Sequence, residues 1–117
     1  MQATRFVTQN AIELRHTQSR TSIELSKDLL VIHIGKLSGR IPLDVDLSNF
    51  PNSDMVSRLQ ARIRKEGNIY FLEDMRSAKG TYLNQKRLAP GQRYRLYAGN
   101  KISFGEDELI SFVFGFF

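Results

Sequence analysis

The chain has 117 residues, of which 41% are hydrophobic and 25% charged, a composition near that of soluble globular proteins that excludes a disordered tail or a fibrous protein. No apolar run approaches the roughly 20 residues of a membrane-spanning helix, and with no cysteine there are no disulfides, thiolate nucleophiles, Cys-based zinc sites or iron–sulfur clusters. Seventeen basic residues against twelve acidic ones give a net charge of +5, which favours anionic partners. The excess lies mostly in the second half, since residues 1–58 hold seven basic and six acidic side chains and residues 59–117 hold ten and six.

Residues 1–10 lack the apolar core of a signal peptide, so the chain reads as cytoplasmic. It also reads as a single domain over 1–117, with an extension and first strand in 1–20 and a motif-bearing core over about 31–112. Apolar residues recur at a spacing of two, in short runs rich in Ile, Val, Phe and Tyr, which predicts strands. In chain order these are 11–16, 21–25, 30–34, 45–47, 61–64, 69–74, 81–83, 93–96, 101–103 and 109–116. Turn signals such as Glu66-Gly67-Asn68, Ala89-Pro90-Gly91 and Ala98-Gly99-Asn100 separate them. The expected fold is all-β: a two-sheet antiparallel sandwich of about ten to eleven short strands. Only 54–58 has helical character. The last run, from Leu109 to Phe117, alternates poorly and suits either a central strand or a strand that meets a partner.

Signals for catalysis are absent. The two histidines, His16 and His33, fall on separate predicted strands with no carboxylate motif beside them, and both read as structural. Glu73-Asp74 and Glu106-Asp107-Glu108 read as solvated turn carboxylates. The glycine patterns of phosphate loops and dinucleotide sites are missing, because Ser77-Ala78-Lys79-Gly80-Thr81 precedes a strand rather than a helix. No catalytic residue, metal ligand or cofactor is assigned.

Several loops carry chemistry suited to oxyanions: Gly35-Lys36, Ser57-Arg58 and Arg76-Ser77-Ala78-Lys79-Gly80-Thr81. A phosphate monoester has strong acceptor oxygens and close to two charges, so its site needs cations plus hydroxyl or backbone donors converging from different loops. A separate run, Ala61-Arg62-Ile63-Arg64-Lys65, places Arg62 and Arg64 on one face of an exposed strand. With Lys86, Arg87, Arg93 and Arg95 it offers the makings of a basic surface for nucleic acid or an acidic protein, but an ordinary solvated face is the better reading. Tyr94 and Tyr97 fit core or edge packing, and no recognition helix is predicted, so no nucleic-acid partner is expected.

The order of these motifs resembles the forkhead-associated (FHA) domain, a phosphothreonine-peptide recognition module. The family pattern runs from a strand ending in Gly-Arg through an Asp-rich strand, Ser-Arg-x-His, Asp-x-x-Ser-x-Asn-Gly-Thr-x-x-Asn and Leu-x-x-Gly-Asp-x-Ile-x-x-Gly. The chain has Ile34-Gly35-Lys36, Asp44-Val45-Asp46-Leu47, Ser57-Arg58-Leu59-Gln60, Asp74-Met75-Arg76-Ser77-Ala78-Lys79-Gly80-Thr81-Tyr82-Leu83-Asn84 and Leu96-Tyr97-Ala98-Gly99-Asn100-Lys101-Ile102-Ser103-Phe104-Gly105. The stretch from Ile41 to Ser48, followed by Phe50-Pro51-Asn52, is most similar to cyanobacterial members.

The resemblance implies an FHA/SMAD-like sandwich with its binding loops at one end and its termini at the other. It places phosphopeptide contacts at Lys36, Ser57 and Lys79, to which the loop chemistry adds Arg58, Arg76 and Ala78 as candidate contacts, and Gly35, Gly80, Thr81 and Asn84 are expected to shape the loops. The departures concentrate at the reader. Lys36 lacks the bidentate fork of arginine, and Lys79 replaces an amide with a group that only donates. Gln60 stands for a loop-buttressing His, Arg76 for a common Gly and Asn100 for the turn Asp. Two readings follow. In the lead reading the chain is a non-enzymatic interaction module that binds a Thr-phosphorylated or acidic protein partner through loops 35–40, 54–60 and 76–81. In the alternative it is a phosphorylation-independent scaffold, linker or accessory subunit of a larger assembly, with the apolar carboxy-terminal tail and residues 1–10 as the places for a contact surface.

Overall fold

A computed structural model describes residues 11–116. Among them eleven strands follow in order: β1 (Ile12–His16), β2 (Ser22–Leu25), β3 (Val31–Gly35), β4 (Val45–Asp46), β5 (Leu59–Glu66), β6 (Ile69–Asp74), β7 (Thr81–Leu83), β8 (Lys86–Arg87), β9 (Tyr94–Leu96), β10 (Lys101–Phe104) and β11 (Ser111–Phe116). They form a six-stranded sheet, β2-β1-β11-β10-β7-β8, and a five-stranded sheet, β4-β3-β5-β6-β9. The fold is therefore the expected all-β sandwich. All pairs are antiparallel except β3 with β4, which run parallel. No helix among the described residues is long and apolar enough to cross a membrane.

Two predicted elements change. The helical segment expected at 54–58 is only a single 3-10 turn at Ser53–Met55, after which Val56 is already extended. The sequence reading also missed β8. Asn84 and Gln85 both take left-handed backbone angles (φ 48° and 74°), the pattern of a two-residue hairpin turn that usually announces itself with Gly, and it joins β7 to β8.

The poorly alternating last run is a central strand. β11 pairs with β1 from Ile12 opposite Phe116 to His16 opposite Phe112, and with β10 on its other side. Phe112 and Phe114 are fully buried, and Phe116 is 43% exposed. The tail expected as a contact surface is thus mostly core, because two sheet neighbours and the facing sheet enclose it. The extension 1–10 and Phe117, also named for that role, lie outside the described residues.

Cross-strand register corrects the reading of the acidic pair. Glu73 and Asp74 are buried, since β6 lies inside its sheet. Burial pushes the Glu73 carboxyl up, but hydrogen bonds from Arg62 and Arg64 outweigh it and hold it below its ordinary value. Arg62 and Arg64 accordingly stand on the middle strand of the sheet, not on an exposed one. His33 has a carboxylate beside it after all: Asp44 Oδ2 accepts from the His33 amide at 2.8 Å and lies 3.4 Å from its Nδ1.

His16 sits in an aromatic cluster, with ring centroids 5.0 Å from Phe50 and 5.2 Å from Phe112. Its Nδ1 accepts from the Ser19 amide at 3.2 Å, and its Nε2 is buried without a hydrogen-bond partner. Burial lowers its pKa below the ordinary 6.5. The unfolded chain therefore binds a proton at a higher pH than the native one, and native stability declines as pH falls below 6.5. Thermal unfolding across pH should show that slope, and a His16→Gln variant, which cannot titrate, should lack it. Phe112→Ala should cost about 3–5 kcal/mol in denaturant unfolding, the range for emptying a packed aromatic site.

Candidate functional site

A cleft of about 570 Å³ opens at one end of the sandwich, lined by residues of three loops. Lys36, Ser57, Arg58, Arg76, Ala78 and Lys79 all line it, so the six candidate contact residues come together. Ile41, Met55, Val56 and Leu59 add an apolar wall, and Asp54 is the one carboxylate among the lining residues. Asp54, Met55, Val56 and Leu59 fall in the expected binding loop 54–60 but are not among the expected contact residues, and Ile41 lies just outside the expected loop 35–40. Their signal was weak, because only the order of the loops, not their apolar content, marked the site.

The cleft is assembled by backbone and buried side chains. The Lys36 amide donates to the carbonyls of Ser57 (3.2 Å) and Arg58 (3.1 Å), which joins the first loop to the second. Gly35 permits this approach, since a Cβ there would lie 1.9 Å from the Arg58 carbonyl oxygen. Ser57 Oγ accepts from the Ala78 amide at 2.9 Å, which joins the second loop to the third. That hydroxyl still has its own proton to donate into the cleft.

Gln60 locks the second loop to the third. Ile34 pairs with Ala61, whereas Gly35 pairs with Leu59. Gln60 is therefore the extra residue of a β-bulge, a device that re-aims a side chain. Fully buried, its Oε1 accepts from the Ser57 amide (2.8 Å) and its Nε2 donates to Gly80 O and Thr81 Oγ1 (both 2.9 Å). Thr81 Oγ1 in turn donates to Asp74 Oδ1 at 2.7 Å, and the same oxygen accepts from Ser77 Oγ at 2.5 Å. The departure at Gln60 thus keeps a buttress, since one amide supplies an acceptor and two donors.

The remaining loop positions have separate surroundings. Gly80 is left-handed (φ 86°), and its Cβ position lies 2.7 Å from Arg87 Nε, so any other residue there is strained. Arg76 also takes left-handed angles (φ 58°), the conformation that a Gly adopts freely. Asn84 lies away from the cleft: its Oδ1 accepts from the Lys101 amide at 2.9 Å and its amide donates to the Lys101 carbonyl at 2.8 Å, which ties the β7–β8 hairpin to β10. Among the described residues, no carboxylate lies within ion-pair distance of Lys36, Arg58, Arg76 or Lys79. Four cations without carboxylate partners around one hydroxyl form a site complementary to an anion.

The sequence model of the family described as FHA domain matches residues 32–105. Protein FraH of Nostoc sp. (strain PCC 7120 / SAG 25.82 / UTEX 2576) is 50% identical over 101 residues, covering 86% of this chain and 35% of that protein. The probable E3 ubiquitin-protein ligase dma1 of Schizosaccharomyces pombe is 42% identical over 62 residues, or 52% of this chain and 23% of that protein. The chain thus spans about a third or less of the length of these relatives. Among solved structures, the N-terminal FHA domain of S. cerevisiae Rad53p, in complex with a phosphothreonine peptide, has a TM-score of 0.72 at 22% identity, covering 92% of this chain and 94% of that one. Mycobacterium tuberculosis EmbR, in complex with a low affinity phosphopeptide, has a TM-score of 0.72 at 24% identity, covering 91% of this chain and 24% of that one. The fold and the cyanobacterial likeness expected from the motifs are both found.

Removing the Gln60 amide strands the Ser57 donor and the Gly80 acceptor. Gln60→Ala should cost about 3 kcal/mol, the scale for buried polar groups left unpaired, and should speed amide hydrogen exchange at Ser57 and Ala78. Exchange unchanged at both amides would show that the loops hold together without it.

Proposed function

Because the chain belongs to the FHA domain family, we propose that it is a non-enzymatic interaction module that binds a Thr-phosphorylated segment of a protein partner at the loop-end cleft. The observation that carries this reading is the convergence of Lys36, Ser57, Arg58, Arg76 and Lys79 on one cleft without a paired carboxylate. The phosphopeptides held by the Rad53p and EmbR structures support the choice of ligand.

Lys36 and Ser57 are the primary phosphate contacts in this proposal. The backbone bonds of Lys36 to the second loop place it next to Ser57 at the cleft, within reach of the same phosphate, and Arg58 adds charge from the adjoining position. Arg76, Ala78 and Lys79 face the peptide from the third loop. Since Lys79 only donates, it grips carbonyl or carboxylate oxygens, and an acidic residue near the phosphothreonine suits it. The apolar wall of Ile41, Met55 and Leu59 receives an aliphatic side chain of the same peptide. Binding that depends on this many exposed cations weakens with salt. Within a longer protein, the domain would recruit a phosphorylated partner into a larger assembly.

Lys36→Ala and Ser57→Ala should each weaken binding of a phosphothreonine peptide by about 1–3 kcal/mol, the range for lost charge-assisted hydrogen bonds. Titration calorimetry measures this, with unchanged thermal unfolding showing that the fold is kept. Equal affinity in both variants and the parent would move the site elsewhere.

A further inference from the structure

The outward face of the five-stranded sheet carries a second basic surface, separate from the cleft. Val31, Arg64, Phe71 and Arg95 stand opposite one another across β3, β5, β6 and β9, and His33, Arg62 and Glu73 form the next row. Directly opposed residues share a face. Their neighbours in sequence, Ile32, Ile63, Leu72 and Leu96, are buried, so these rows point outward.

The charges on this face are uneven. Arg62 and Arg64 share the one carboxylate of Glu73, donating at 3.3 Å and 2.5 Å. Arg93 pairs with Glu66 and lies 5.8 Å from the centroid of the Phe71 ring. Arg95 has no carboxylate partner among the described residues and stacks on Tyr97 at 4.5 Å. Along β5, β6 and β9 four guanidinium groups therefore face two carboxylates, an excess of two positive charges, while Asp44 lies beside His33 of β3. Tyr97 (56% exposed) and Ile69 (37%) lie alongside.

This composition selects the partner's chemistry. Nucleic-acid bases stack on aromatic faces, and here a guanidinium group already occupies one face of each ring, Arg93 over Phe71 and Arg95 over Tyr97. Arginine and aromatic side chains with adjoining aliphatic ones, and no lysine in the rows, are what protein interfaces concentrate. The guanidinium fork also matches a carboxylate bidentately. From the juxtaposition of Arg62, Arg64, Arg93 and Arg95 with Phe71, Tyr97 and Ile69, we propose that the outward face of β5, β6 and β9 docks a partner protein surface that presents carboxylates beside apolar side chains, and that it does so without phosphate.

The test is a titration of the isotope-labelled protein, followed by amide chemical shifts, with a short unphosphorylated peptide of alternating glutamate and leucine and, separately, with oligothymidylate. The proposal expects shifts at Arg64, Phe71 and Arg95, and at least about tenfold weaker binding when Arg93→Glu and Arg95→Glu are combined, as for charges facing a complementary surface. Both residues are exposed, which avoids stranding the buried Glu73 as a change at Arg62 or Arg64 would. A single Arg95→Ser variant gives the same reading should the double variant unfold. Lys36→Ala should leave this binding unchanged. Absent binding of the glutamate–leucine peptide, shifts confined to Lys36, Ser57 and Ala78, or equal or tighter binding of oligothymidylate would each overturn the proposal; the first and third leave phosphopeptide recognition at the cleft untouched, whereas the second would count against its dependence on phosphate as well.

Discussion

One buried amide holds the functional end of this protein in shape. Gln60 reaches its position because a bulge at the start of β5 lets both Gln60 and Ala61 turn inward. From there it bonds the backbone of the second loop and the threonine that opens β7. Asp74 completes the lock at the end of β6 through Thr81 and Ser77. A half-satisfied version of such a network would be worse than an apolar core. The side-chain polar atoms at its centre are paired, so the loops are fixed before any ligand arrives, and little ordering is left for binding to accomplish.

The placement of charge divides the molecule. On the five-stranded sheet, arginines are matched in part by Glu73 and Glu66 and by aromatic rings. At the loop end, Lys36, Arg58, Arg76 and Lys79 have no carboxylate partners among the described residues, although a sandwich of this kind has ample surface on which to pair them. Like charges gathered in one cleft repel each other, and an incoming anion relieves that repulsion. Burial of Phe112 and Phe114 between β1 and β10 anchors the six-stranded sheet. This leaves the loops free to vary around a rigid frame.

Much of this was legible in the sequence, for identifiable reasons. Period-two alternation located the long strands, and the order of glycine, hydroxyl and cation motifs located the cleft loops. β8 was hidden because Asn84-Gln85 makes its turn without glycine and the strand itself is only Lys86–Arg87. The burial of Glu73 and Asp74 depended on which strands flank β6, and no local pattern encodes that. Gln60 looked like the loss of a buttress when matched by residue type. Its actual role depends on the bulge, which appears only when β3 and β5 are aligned in space. The expected likeness to cyanobacterial members rested on the stretch from Ile41 to Asn52, whereas the match to the Nostoc protein spans 101 residues, 86% of this chain.

The most direct test of the account is an amide chemical-shift titration of the domain with a phosphothreonine peptide and with the same peptide unphosphorylated. The account predicts that the amides of Lys36, Ser57, Ala78 and Lys79 shift with the phosphorylated peptide alone, in a salt-sensitive manner. Identical shifts with both peptides, or no movement at these four amides, would contradict it.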